Sequence, residues 1–345
     1  MGAVAPERLI QLGVETVRGT EVAATARLIP RPGEVTWRDN TEKPPLEADW
    51  GTLDRRHSAH PSQVARQLTE MEMTADCSFE QILYPLLAGV QGGVTPVAQA
   101  AGVDGHLWTF TPFPTADPVP DAFTLEYVER EGITNKMQVT ATYGLVKRIR
   151  ITSSPGAEYA TLETEWFARN GVSQAPTADP GLPTKNVTPG PKWRIATAAN
   201  FAALESAPSL LQAQVMGFEW ELVTGILPKF RLDDDSPDFA AYQFGARECS
   251  LKLTLDLTAE AETERTARLQ AAGIQYLRAD VVGPVIGSDN HKIKIDGAYE
   301  LTNPIEAGND DEDQSQVELE YTAIHDSTKG AAFEIVVHNN LATLP

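Results

Sequence analysis

Residues 317–321 read VELEY, in which Val317, Leu319 and Tyr321 alternate with Glu318 and Glu320. A period of two puts the apolar set on one face of a β-strand and the carboxylates on the other. The stretch therefore predicts a strand with one packed face and one wet, negative face. Residues 162–166, LETEW, have the same layout: Leu162, Thr164 and Trp166 against Glu163 and Glu165. One chain writes the same acidic strand twice, 155 residues apart.

The neighbouring segments echo each other too. MEMTAD at 71–76 matches LDLTAE at 255–260, with Met71, Met73 and Ala75 in phase with Leu255, Leu257 and Ala259. KMQVTATYGL at 136–145 matches KIKIDGAYEL at 292–301, with identities at Lys136/Lys292, Tyr143/Tyr299 and Leu145/Leu301. Upstream, VTWRDN at 35–40 resembles FRLDDD at 230–235, and Trp50-Gly51 pairs with Phe244-Gly245. Matches that keep one order and one apolar phase indicate a duplication. The offsets shrink along the chain, which two deletions in the second copy explain. Copy one keeps the extra pieces TLDRRHSAHPSQVAR and TFTPFPTADPVPDAF (109–123), both read as surface loops from their polar or Pro-rich composition.

Within copy one the pattern predicts the strands EVTWRD and ARQLTEMEMTAD. A short helix, SFEQILYPLLAG, follows, capped by Ser78 and ended by Gly89. The strands FTLEYVERE, KMQVTATYG and VKRIRITSS come next, and the turn PGAE leads into YATLETEWFAR. Copy two is expected to repeat the plan, with a helix at 259–273 and strands around 292–299 and 316–324. The segment 170–193 carries prolines at 176, 180, 183, 189 and 191 and reads as an extended linker. The division expected is an N-terminal arm 1–20, a first domain 21–169, a Pro-rich linker 170–207 and a second domain 208–345. The wet faces gather Glu70, Glu72, Glu163 and Glu165 in copy one, and Asp256, Glu318 and Glu320 in copy two. Arg148 and Arg150 share a strand and interrupt an otherwise negative wall.

Composition narrows the partners. Asp and Glu number 48 against 28 Lys and Arg, a net charge of −20 over 345 residues. Such a chain has no bulk attraction for a phosphate backbone, so any meeting with DNA is expected to be non-adhesive. The two cysteines, Cys77 and Cys249, are read as reduced and buried. The opening MGAVAPERLIQLG lacks a signal-peptide pattern, and the run ILYPLLAGV is too short to span a bilayer, so a cytoplasm-like compartment and no membrane are expected.

The chemistry of enzymes is missing from the pattern. No phosphate-binding GxxxxGK[ST], GxSxG, HExxH or CxxC motif occurs. His57 and His60 have a metal-like spacing but sit among loop signals. NDDEDQSQVELE at 309–320 places acids as a calcium loop does, but it lacks the sixth-position glycine and leads into a strand. Glutamates two apart on a strand read as solvated carboxylates before they read as glycosidase acids. No enzyme, cofactor or metal is expected.

GVETVRGTEVAATARLIP at 13–30 resembles the opening of the major tail tube proteins of long-tailed, non-contractile bacteriophages. TEMEMTADCSFEQILYPLLAGVQGG resembles their middle, and YGLVKRIRITSSPGAEYATLETEWFARNGV at 143–172 their closing hairpin. Copy two departs further: ELTNPIEAGNDDEDQS has lost the Pro-Gly turn and turned acidic. The resemblance implies a mainly β fold of two tandem tail-tube-type antiparallel β-sandwich domains, each with a flanking α-helix. It also implies self-association into rings stacked as a virion tail tube, made in the host cytoplasm, with other tail proteins as partners. Genomic DNA would pass through the channel without tight binding. Six-membered rings of single domains would become rings of three duplicated chains, and the seven acids named above would face the lumen. Ring stacking would draw on the arm 1–20, the loops 40–62 and 233–243, and the linker 170–193. The competing readings are a ring-forming DNA clamp, a two-domain β-sandwich adhesin or binding module, and a secretion-system tube protein.

Overall fold

The computed structural model describes residues 7–43, 64–99, 105–112, 119–131, 134–211, 215–232, 236–256, 258, 273–302, 306–311 and 314–344. The fold is mainly β. Copy one forms β1 (Glu7–Val14), β2 (Ala26–Leu28), β3 (Val35–Glu42), β4 (Arg66–Asp76), α1 (Leu83–Gly89), β5 (Val97–Ala98), β6 (His106–Phe110), β7 (Phe123–Glu131), β8 (Thr134–Ser153) and β9 (Thr161–Ala168). There follow β10 (Trp193–Ala198), α2 (Phe201–Ser206), β11 (Ser209–Leu210), β12 (Val215–Val223), β13 (Ile226–Lys229) and β14 (Ala241–Phe244). The chain ends with β15 (Glu248–Asp256), β16 (Gln275–Ile286), β17 (Asp289–Leu301), β18 (Glu306–Asp311), β19 (Gln314–Ala323) and β20 (Phe333–Asn339).

One antiparallel sheet runs without a break through both copies, in the order β3-β4-β9-β8-β12-β15-β19-β18. Copy one supplies the first four strands and copy two the last four. The join is the β8–β12 pairing, where Ile151 lies opposite Trp220 and Arg150 opposite Glu221. Strand alternation buries Met71, Met73, Leu162, Trp166, Trp220, Leu251, Leu253, Val317, Leu319 and Tyr321 on one side of this sheet and leaves the charged residues on the other.

Register fixes which residues correspond. Met71 faces Trp37 on one neighbour and Trp166 on the other. Leu251 faces Trp220 and Tyr321 in the same way. Met71 therefore corresponds to Leu251, and the MEMTAD–LDLTAE match is displaced by four residues. The displacement escapes sequence inspection because an even slip preserves the period-two phase. The same frame makes Trp37 the counterpart of Trp220. The match of VTWRDN to FRLDDD fails: β12 occupies the place of β3, whereas residues 226–229 and 241–244 form a separate hairpin.

The strands predicted as KMQVTATYG and VKRIRITSS are one strand, β8, of 20 residues. It leaves the shared sheet at Tyr143, whose φ of 61° turns the backbone. The buried Glu15 carboxylate holds this turn by accepting from the Tyr143 amide at 2.7 Å. Gly144 follows, where a Cβ would meet the Phe123 carbonyl at 2.8 Å. Beyond the turn β8 enters a second layer with β7, β1 and β2. In copy two β17 makes the corresponding passage, pairing with β19 at its end and with β16 before it, and β16 pairs in turn with β10 and β10 with β11. The core between the layers is shared by both copies.

Several segments depart from the expected plan. Residues Glu7–Val14, inside the expected arm, form β1, with Leu9, Ile10 and Leu12 buried. Residues Trp193–Ala198, inside the expected linker, form β10. The first residues of the insert expected as a loop, Thr109 and Phe110, end β6, which crosses to copy two and pairs with β20. Ser78 accepts from the Gln81 amide in a turn that precedes α1 and does not cap the helix itself. The second helix expected, at 259–273, lies almost wholly outside the described residues, as do Trp50, Gly51, His57, His60 and most of the loop 40–62.

Candidate functional site

The wet face of the eight-stranded sheet carries all seven acids singled out from the sequence. Glu70 and Glu72 stand on β4, Glu163 and Glu165 on β9, Asp256 on β15, and Glu318 and Glu320 on β19. Alternation puts them there because their in-plane neighbours are the buried core residues. The face is no uniform negative wall, however. Arg38 on β3 bonds Glu72 at 3.1 Å, and Lys147 lies 3.8 Å from Glu70. Lys252 on β15 bonds Glu318 at 2.8 Å.

The densest charge network straddles the join between the copies. Arg148 bonds Glu165 at 2.7 Å within copy one and approaches Glu221 of copy two at 3.6 Å. Arg150 bonds Glu163 at 3.2 Å and reaches across to Glu219 at 2.6 Å. The bond to Glu219 is the main reason the Arg150 guanidinium holds its proton more tightly than usual. The bond to Glu318 does the same for Lys252. Charge-assisted bonds of this kind fix register as well as adding energy, because a one-residue slip would set Arg150 against Trp220 or Leu222 in place of Glu221. Glu219 and Glu221 were not among the acids chosen from sequence. FEWELV carries the same alternation as VELEY, with Phe218, Trp220 and Leu222 buried between them.

A second contact clamps the copies from the side. The segment 236–243 lays Phe239, fully buried, against Tyr143 and Phe167, with ring centroids at 5.0 and 5.5 Å. Arg169 donates to the Phe239 carbonyl at 3.1 Å, and the Asp238 carboxylate accepts from the Asn170 amide at 3.0 Å. The linker is also laid down along copy one: Thr177 bonds Glu126, and Asn186 bonds the buried Glu80. Both segments, expected as free contact loops, are spent in part on holding the chain together.

Cys77 and Cys249 are unbridged and buried, and burial pushes both thiols up to about 12, which leaves them unreactive. Residues 309–311 and 314–320 of the calcium-like stretch lie on β18 and β19. Among the described residues no group of three or more His, Cys, Asp or Glu is placed to hold a metal. No helix among them is long and apolar enough to cross a membrane. No family model matches this chain, and no curated protein matches it.

Proposed function

We propose that the chain is a structural subunit that associates through its sheet edges into rings, which stack as the tail tube of a long-tailed bacteriophage. The observation that carries the reading is the β8–β12 join. Two copies of one four-strand unit are placed edge to edge in the same order and direction, as neighbouring subunits of a closed barrel would be. Repeating that placement closes the sheet on itself and removes its exposed edges. Three chains then give a ring of pseudo-sixfold symmetry.

The wet face lines the channel in this account. Its carboxylates outnumber its bases, and the bases are tied to carboxylates, so they release few counterions to a passing phosphate backbone. DNA slides through such a wall, whereas a clamp needs a basic one. No catalysis is required. Negative-stain electron microscopy of the concentrated protein tests the reading: hollow tubes of stacked rings are expected, and rings that load onto DNA without stacking would favour a clamp. Lysine at Glu70, Glu163, Glu318 and their neighbours should slow genome passage in infected cells, and unchanged infection would exclude a lumenal position.

A further inference from the structure

The described sheet ends on two strands that pair with a strand on one side only, and at the outer edge of β3 the Val35 carbonyl accepts from the Arg8 side chain at 3.2 Å. Among the described residues β3 pairs only with β4, and β18 only with β19. The register frame says what each edge corresponds to. Leu162 is opposite Ile151, and its counterpart Val317 is opposite Ala307, so Ala307 stands where Ile151 stands in copy one. One residue earlier, Glu306 stands where Arg150 stands. On the other edge Trp37 corresponds to Trp220, so Arg38 stands where Glu221 stands.

At the internal join Arg150 lies directly opposite Glu221. The two outer edges carry the same pair with its signs exchanged, Glu306 for Arg150 and Arg38 for Glu221. We propose that β18 of one chain pairs antiparallel with β3 of a second copy in this register, with Ala307 opposite the partner's Trp37 and Glu306 opposite the partner's Arg38. The proposal rests on the self-assembly reading above and names the contact that performs it. Three observations select a second copy as occupant. The edges repeat the order and direction of the internal join. Their charges are complementary to each other, whereas β3 against β8 would oppose Arg38 to Arg150, and β18 against β12 would oppose Glu306 to Glu221. Finally, Trp37 is only half-buried, although its counterpart Trp220 is fully buried beside the joined strand.

The exchange of signs makes the contact directional. Each chain accepts the head of the next at its tail, a heterologous association that closes when the rotation per chain divides a full turn.

Assembly of Arg38→Glu, Glu306→Arg and the double variant should be compared with the parent by sedimentation velocity and electron microscopy, with thermal melting to check the fold. Each single variant is expected to need about tenfold more protein to assemble, and the double variant to assemble as the parent does. Single variants that assemble like the parent while tubes persist would overturn the register and leave the tube reading standing. The same holds for a double variant that fails although it melts normally. Edge-paired oligomers that respond to the swap but never stack would uphold the contact and tell against the tube. A parent that stays monomeric at every concentration would overturn both.

Discussion

The two copies present the same face in different charges. Copy one reads, from β3 to β8, Arg38, Glu72, the pair Glu163 and Glu165, then Arg150. Copy two reads Glu221, Lys252, the pair Glu318 and Glu320, then Glu306. The carboxylates of the third strand are common to both, and the other three positions are inverted. Joining like copies in this geometry would bring equal charges together, whereas joining unlike copies makes every junction attractive. In the ring proposed above, this exchange of charges would distinguish the junction inside each chain from the junction between chains.

The buried join and the open edge offer matched tests. Trp220→Ala should cost about 3–5 kcal/mol in urea unfolding, since the ring is fully buried against Phe333, 5.9 Å away. Trp37→Ala, at the equivalent place on the edge, removes a half-buried ring that stacks on Tyr127 at 5.5 Å and donates to Asp39 at 3.1 Å, and should cost about 1 kcal/mol in the free chain. Equal costs would mean that the two tryptophans do not occupy equivalent environments. Arg150→Ala should remove about 1 kcal/mol, because two carboxylates from different copies lose their shared partner. Arg38→Ala should be nearly silent before assembly, at a few tenths of a kcal/mol, as expected of an exposed pair.

The smallest effect concerns the strand that copy one lends to copy two. His338 on β20 is buried beside β6, and burial holds its pKa below the ordinary 6.5. The groups facing it are the Asn290 carbonyl, Asp289, Lys292 and His291. A depressed pKa means that the unfolded chain takes up the proton first. Stability contributed by neutral His338 is therefore complete above pH 6.5 and declines as the pH falls below it. Urea midpoints at pH 7.5 and 5.5 should differ in the parent and differ less in His338→Gln.

The face was legible in the sequence and its arrangement was not. VELEY and LETEW announced buried and wet sides because period two is a local property. Pairing partners are not local. β6 ends inside the Pro-rich insert, and its partner, β20, lies more than two hundred residues away. The four-residue slip between the copies left every residue on its expected face, so only cross-strand register exposed it. β1, which falls inside the expected arm, buries Leu9, Ile10 and Leu12 of ERLIQLGV. Its neighbours are supplied by residues 26–28 and 123–130, which no window around it contains.

The measurement closest to the central claim is the number of chains in one ring, by cryo-electron microscopy or native mass spectrometry of isolated rings. The account predicts three chains, with two alternating kinds of junction that look sixfold at low resolution. Six chains per ring would contradict it, because the join inside the chain would then not stand for the contact between chains.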